Sequence, residues 1–126
     1  MLVLVIDCNS HSFPPTKVEI EVEPRDPVVG AVASLKCQSD SSSPQVKMVW
    51  YRNNEFLSGA ADTRTGTGNY GGVMTSSAIQ TKVTEKDINA VYKCEARHVA
   101  TSKSISNSTK ISVQCKYHLI LLFLFK

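Results

Sequence analysis

Short stretches of alternating apolar and polar residues recur along most of the chain. In Lys17–Glu23, an apolar residue at every second position alternates with a lysine and glutamates. A period of two places one set of side chains on the buried face of a β-strand and the other set in solvent. The pattern therefore predicts strands, and no segment sustains the longer period of a helix.

Six segments predict strands, and a seventh strand is a candidate in a shorter segment. Residues typical of turns, such as proline, glycine, asparagine and serine, separate them. The six predicted strands are Lys17–Glu23, Ala31–Gln38, Gln45–Arg52, Val73–Val83, Ala90–His98 and Lys110–Gln114, and the candidate seventh lies near Glu55–Ser58. A succession of short strands with frequent turns is typical of an all-β sandwich or barrel.

The connecting segments are expected to be irregular. Leu57–Gly72, rich in glycine, threonine and asparagine, is predicted to be the least structured part of the chain. Ala100–Asn107 is predicted to be a polar turn before the last strand. Glu85–Asn89 is predicted to be a polar corner, where we expect Glu85 and Asp87 to be solvated.

Cys37, Trp50 and Cys94 occur in this order with wide spacing, and Tyr92 stands two residues before the second cysteine. This constellation is typical of the immunoglobulin-like two-sheet Greek-key sandwich, here I-set or C2-like with about seven strands. The likeness implies a Cys37–Cys94 disulfide between the sheets, with Trp50 and Leu35 in the core. It also implies that the Tyr92 hydroxyl bonds to backbone upstream of it.

The length of 126 residues suits one domain with short flanking segments. We expect the domain at residues 16–114, a lead-in or linker at 1–15 and an apolar tail at 115–126. Met1–Ile6 is too short for a signal peptide and lacks its basic residues. Leu119–Phe125 is far shorter than the roughly 20 residues of a membrane-spanning helix. Both ends favour a fragment of a longer protein.

The chain has four cysteines, whose wide spacing fits disulfides and an oxidising compartment and does not match a zinc site. Asn107-Ser108-Thr109 is an N-glycosylation sequon, which agrees with export and makes Asn107 the predicted glycosylation site. Cys8 and Cys115 flank the predicted domain. They could pair with each other, be unpaired, or belong to sequence that is not native to the domain, and their place in the flanking segments favours the unpaired state.

Several function classes find little support. The net charge is +3 and the basic residues are scattered, so nucleic-acid binding is not expected. Gly66–Gly71 matches G-x-G-x-x-G, but a strand pattern follows it where a nucleotide-binding motif needs a helix, so a turn at a sheet edge is expected.

Catalysis is not expected either. His98 is the one histidine within the predicted sandwich, where we expect it at the surface, and the chain has no G-x-S-x-G motif. We predict no enzyme, no cofactor, no metal and no small-molecule substrate.

Further local motifs resemble the immunoglobulin domains of the nephrin and sticks-and-stones group of cell-adhesion proteins, over about residues 13–114. The segments that carry this resemblance are Phe13–Val18, Leu35–Cys37, Ser42–Pro44, Val49–Asn53, Tyr70–Gly72, Thr75–Ser77 and Val91–Ala96. The resemblance implies a domain of a cell-surface protein, anchored by one membrane span and built of several such domains in tandem. Its members bind other immunoglobulin-superfamily proteins on facing cells.

The predicted function is an extracellular binding module for cell adhesion or recognition, homophilic or heterophilic. Two alternatives remain open at this stage, an immune-type or soluble receptor domain and a structural spacer in a tandem array. The solvent-facing side of Gln45–Arg52 and Glu55–Leu57 is the candidate binding face. Its candidate residues are Tyr51, Arg52, Glu55 and Phe56, with Tyr51 as an aromatic anchor.

Overall fold

The computed structural model describes residues 12–57 and 61–114. Cys8 and Cys115 lie outside the described residues, as do most of the predicted lead-in, the apolar tail and Ser58 of the candidate seventh strand.

Within the described part of the chain, eight β-strands form two antiparallel four-stranded sheets. The strands are β1 Val18–Glu23, β2 Val32–Ser39, β3 Lys47–Arg52, β4 Glu55–Phe56, β5 Asp62–Thr67, β6 Val73–Lys82, β7 Val91–His98 and β8 Lys103–Lys110. Their order is β1-β2-β6-β5 in one sheet and β4-β3-β7-β8 in the other. The all-β sandwich predicted from the sequence is confirmed. Within residues 12–57 and 61–114, no helix is long and apolar enough to cross a membrane.

The core lies between the sheets and follows the alternation of the two central strands. In β2, Ala33, Leu35 and Cys37 are fully buried, while the residues between them are half-buried or exposed. In β7, Tyr92 and Cys94 are buried in the same way. A disulfide joins Cys37 to Cys94 with a Cα–Cα distance of 6.4 Å, so one covalent link connects the two sheets.

Two strands occur where irregular structure was predicted. β5 lies inside Leu57–Gly72, and β8 covers most of the predicted turn Ala100–Asn107. The last strand therefore ends at Lys110, whereas Lys110–Gln114 was predicted. Both β5 and β8 lie at an edge of their sheet, where one neighbour pairs with the backbone and the side chains stay largely in solvent. An edge position tolerates polar residues of low strand propensity, so composition gave the wrong prediction there.

His98 was predicted to lie at the surface, and this prediction is wrong because the residue is only 1% exposed. It continues the inward-facing side of β7 and links two loops at one end of the sandwich. The carbonyl of Ser43 accepts a hydrogen bond from Nε2 at 2.9 Å. Because a carbonyl can only accept, Nε2 carries a proton, and Nδ1 shares a hydrogen bond of 2.6 Å with the Thr101 hydroxyl, which can both donate and accept. Two hydrogen bonds thus satisfy the ring in the core.

The glycine-rich segment between β5 and β6 closes against the same end of the sandwich. It forms a short 3-10 turn, Asn69–Gly71, followed directly by β6, so the segment turns a sheet edge as predicted. Gly72 is buried, and a Cβ on it would meet the Ser41 side chain, Phe13 Cζ at 2.7 Å and Ser42 O at 2.8 Å. The turn can therefore approach Ser41–Ser42 closely because this residue has no side chain.

We expect Gly72→Ala to lower the free energy of unfolding by roughly 1–3 kcal/mol, because the added methyl group overpacks a closed contact with backbone. Gly66→Ala is the matched control, since a Cβ there has no heavy atom within 4 Å. Urea denaturation followed by the fluorescence of the single tryptophan measures both variants. Equal stabilities of the two variants would contradict the close packing at Gly72.

Candidate functional site

The outward side of the second sheet carries a cluster of aromatic and charged side chains, which we call the aromatic–basic face. Its residues are Tyr51 of β3, Phe56 of β4, and Lys93, Glu95 and Arg97 of β7. They alternate with residues that point into the sandwich, so the strands that build the core also hold this face.

Tyr51 and Phe56 form the apolar centre of this face. They are register partners in the β3–β4 pair, and their ring centroids lie 6.3 Å apart in an edge-to-face arrangement at 73°. Such geometry is favourable because the positive edge of one ring meets the negative face of the other. Phe56 is 64% exposed, so its ring is available to a partner.

Two cations flank the Tyr51 side chain. The ammonium nitrogen of Lys93 lies 4.7 Å from the centre of the ring, within the range of a cation–π contact. Arg97 Nη2 donates a hydrogen bond to the Tyr51 hydroxyl at 2.6 Å. Arg97 Nε also pairs with the Glu95 carboxylate. The hydrogen bond and the charge of Glu95 raise the pKa of Arg97 above its ordinary value, so the guanidinium stays charged.

The structure brings together two of the four candidate binding residues. Tyr51 and Phe56 share the aromatic–basic face, whereas Arg52 and Glu55 are register partners on the other side of the β3–β4 pair. Arg52 Nη1 lies 3.5 Å from Asp87 Oδ1, which gives Arg52 a structural contact. Glu55 is exposed at the sheet edge.

Lys93, Glu95 and Arg97 were not predicted for this face. The signal that would have found them is the alternation of β7, in which they occupy every second position between the buried residues Tyr92, Cys94, Ala96 and His98. Pairing of β3 with β7 then brings them beside Tyr51, and the register that does so is a property of the folded sheet.

Asp87 is buried in the turn between β6 and β7, where it is the centre of a polar cluster. The Tyr92 hydroxyl donates to Asp87 Oδ1 at 2.6 Å, and the backbone N–H of Thr84 donates to Oδ2 at 2.8 Å. Arg52 supplies the opposite charge. The prediction that Asp87 is solvated is therefore wrong, while Glu85 is exposed. The predicted acceptor for Tyr92 was backbone, and the observed one is this carboxylate, which burial makes a strong acceptor.

The remaining predicted residues have these places. Trp50 is buried, and its indole N–H donates to Ser77 Oγ of the opposite sheet at 3.0 Å. Leu35 is fully buried in β2. Asn107 was predicted at the entrance to the last strand, but it lies in the interior of β8, where its Nδ2 donates to the Val18 carbonyl at 3.0 Å. No group of three or more potential metal ligands occurs among the residues described.

The fold and the inter-sheet disulfide define an immunoglobulin-type sandwich. The chain matches the family of CD80-like C2-set immunoglobulin domains over residues 8–105 and belongs to that family. The predicted membership of the immunoglobulin superfamily is thereby confirmed.

The chain is similar to a curated cell adhesion molecule and to several solved structures. The chain is 34% identical over 85 residues to Cell adhesion molecule 3 of Xenopus laevis, which covers 67% of this chain and 22% of that protein. The three-domain ectodomain of mouse nectin-like molecule 4 matches with a TM-score of 0.70 at 23% identity, covering 80% of this chain and 34% of that chain. The Rst D1–D2 structure matches with a TM-score of 0.69 at 16% identity, covering 83% and 51%.

These likenesses define a coarse class. The chain is a disulfide-bonded immunoglobulin domain of the extracellular or cell-surface kind, related to a cell adhesion molecule, in a family whose members are generally not enzymes. It spans about a fifth of the length of the curated relative that it matches.

Removing the Asp87 carboxylate should be strongly destabilising. We expect Asp87→Ala to lower the free energy of unfolding by about 3 kcal/mol, because it leaves buried donors without an acceptor and removes the opposite charge from Arg52. Asp26→Ala, at an exposed turn, should change it by less than about 0.5 kcal/mol. Chemical denaturation compares the stabilities of the two variants, and similar losses of stability would contradict a structural role for the Asp87 carboxylate.

Tyr92 should make stability depend on alkaline pH. Burial, and after it the bond to Asp87, raise the pKa of the Tyr92 hydroxyl above its ordinary 10.0. The contribution of the neutral hydroxyl is then complete below the pKa of the unfolded chain and is lost as the pH rises through the higher folded-state pKa. We expect the stability difference between wild type and Tyr92→Phe to be constant below about pH 9 and to shrink above about pH 10.

Denaturation curves recorded at a series of pH values test this dependence, with Tyr70→Phe as the control because Tyr70 is 92% exposed. If the stability difference between wild type and Tyr92→Phe stays constant at every pH, the pKa of Tyr92 is the same in the folded and the unfolded chain, which would contradict this prediction.

Proposed function

We propose that this domain is an extracellular binding module of a cell-adhesion or cell-recognition protein, and that it contacts another immunoglobulin-superfamily ectodomain through the aromatic–basic face. The observation that carries the proposal is the pair of the half-buried Tyr51 and the exposed Phe56, with Lys93 and Arg97 beside it. The relationship to Cell adhesion molecule 3 supports the adhesion class.

The rings of Tyr51 and Phe56 offer apolar area that a partner can bury. Aromatic side chains bury a large surface on binding and lose little conformational freedom, so they are frequent among residues that dominate binding energy. Here Tyr51 is already held by Lys93, Arg97 and Phe56 in the unbound domain. A partner would therefore meet a preorganised surface and would not bear the entropic cost of ordering it.

The charges on the face indicate the chemistry of the partner. Lys93 and Arg97 exceed the single carboxylate of Glu95, so the face has a local excess of positive charge. A complementary surface would present carboxylates around an apolar patch that receives Phe56. Exposed ion pairs of this kind are screened by salt, so association should be slower at high ionic strength.

The parent protein is also part of the proposal. The chain spans 22% of its adhesion relative and 34% of a three-domain ectodomain. We infer a longer parent with several immunoglobulin domains in tandem and a single membrane span. A soluble or immune-type receptor and a passive spacer in such an array are the alternatives, and the binding experiment separates the spacer from the other two.

Truncating either ring should weaken binding. We expect Tyr51→Ala and Phe56→Ala each to cost about 2 kcal/mol of binding free energy, which is about 30-fold in Kd, because each removes apolar area from the centre of the contact. Val32→Ala is the matched control, since Val32 is 57% exposed on the other sheet. The partner is first found by screening the ectodomain of the full-length protein against an array of immunoglobulin-superfamily ectodomains, and Kd is then measured by surface plasmon resonance.

Charge reversal gives an independent readout. Lys93→Glu should slow association and reduce its salt dependence, whereas Lys36→Glu, which is exposed on the opposite sheet, should leave both unchanged. Binding that survives all three changes on the aromatic–basic face would remove this face from the proposal. Failure to bind any member of the array would favour the spacer.

A further inference from the structure

The edge of the second sheet formed by β8 is long and weakly protected. β8 has eight residues and pairs with β7 on one side, and it is the last strand of its sheet. Its charged residues are Lys103 and Lys110 at the two ends, and the six residues between them are uncharged and include no proline. Natural sheets usually protect such an edge with charges, proline or a covering segment, because unpaired N–H and C=O groups can pair with another strand.

Asn107 lies within this uncharged part of β8. It is the register partner of Cys94, and its side chain emerges on the open side of the sandwich between β8 and β1, where Nδ2 donates to the Val18 carbonyl at 3.0 Å. Oδ1 accepts from the Ser108 N–H at 2.8 Å. The residue as a whole is exposed. An amide nitrogen carries two hydrogens, so the bond to Val18 leaves one of them unused.

We propose that Asn107 carries an N-linked oligosaccharide that covers the open edge of β8. The acceptor sequence is Asn107-Ser108-Thr109, and transfer takes place on the nascent chain before β8 pairs. A bond forms between Nδ2 and C1 of the first N-acetylglucosamine of a lipid-diphosphate-linked oligosaccharide. The bond from C1 to the diphosphate oxygen breaks, the lipid diphosphate leaves, and the proton lost from Nδ2 passes to the medium.

The folded structure accommodates this product. A glycosylated amide nitrogen keeps one hydrogen, which suffices for the bond to Val18 O. The residues on either side of Asn107 are Ser106 and Ser108, which are exposed and have small side chains. In addition, β8 is separated from β4 by β7 and β3, so the glycan and Phe56 lie at opposite edges of the sheet. Asn107 is the register partner of the inward-facing Cys94, whereas Lys93 and Glu95 on either side of Cys94 face outward, so the glycan is attached on the side of the sheet away from these residues. The modification does not depend on the proposed function.

A conservative pair of variants tests the modification. The domain is secreted from eukaryotic cells as wild type, Thr109→Ala and Thr109→Ser; the serine variant keeps the acceptor sequence and the alanine variant destroys it. We expect peptide N-glycosidase to lower the mass of wild type and Thr109→Ser, to convert Asn107 to aspartate in both, and to leave Thr109→Ala unchanged. An unmodified Asn107 in secreted wild type overturns the proposal, and Asn107→Gln provides a second unglycosylated protein if Thr109→Ala is poorly secreted.

Self-association tests the protective role. By sedimentation velocity over a range of concentrations, we expect Thr109→Ala to form dimers at concentrations where glycosylated Thr109→Ser is monomeric. Adding Ser106→Lys to Thr109→Ala should restore the monomer, because it places a charge in the middle of the edge. Equal association of the Ala and Ser variants, or dimers that Tyr51→Ala abolishes and Ser106→Lys does not, would overturn the protective role. Dimers that depend on Tyr51 would instead show that two copies of the domain contact each other through the aromatic–basic face.

Discussion

The link between the two sheets at Cys37–Cys94 is the constraint on which the rest of this domain depends. Cys37 pairs in register with Ser77 of β6, and Cys94 pairs with Trp50 of β3. The indole N–H of Trp50 in turn donates to Ser77, so a covalent bond and a hydrogen bond cross the core at the same level. These two links join the four central strands into one unit. In the chain-entropy model, a bridge that closes a loop of this length contributes about 4 kcal/mol.

The surface proposed for binding takes its rigidity from that unit. Tyr51 follows Trp50 directly, and Lys93 and Glu95 flank Cys94, so the residues that face a partner are the immediate neighbours of the residues that hold the sheets together. Alternation in a strand separates the two tasks, since inward positions stabilise and outward positions contact. Arg52 illustrates the consequence, because its inward position commits its charge to Asp87.

The sequence predicted the fold far better than it predicted the polar edge strands and the buried polar residues. Strands with a clear inward face, such as β2 and β7, were predicted almost to their ends. β5 and β8 were missed because edge strands obtain their order from a neighbour and have no apolar face of their own. His98 and Asp87 were placed in solvent because their residue types usually are, and the partners that satisfy them in the core, Ser43 and Tyr92 among them, become neighbours through folding.

By itself, the sequence determined the class of fold, because apolar periodicity and the order of two cysteines, a tryptophan and a tyrosine are local or nearly local properties. It also pointed to Tyr51 and to the acceptor sequence at Asn107. The tertiary structure decided which side chains share a surface. Lys93 and Arg97 reach Tyr51 through the register of β3 with β7, and Asn107 becomes part of an open edge through the place of β8 in the sheet. Register and strand order arise from pairings between residues far apart in the chain, so the alternation within one strand tells which residues face outward but not which residue of another strand lies beside them.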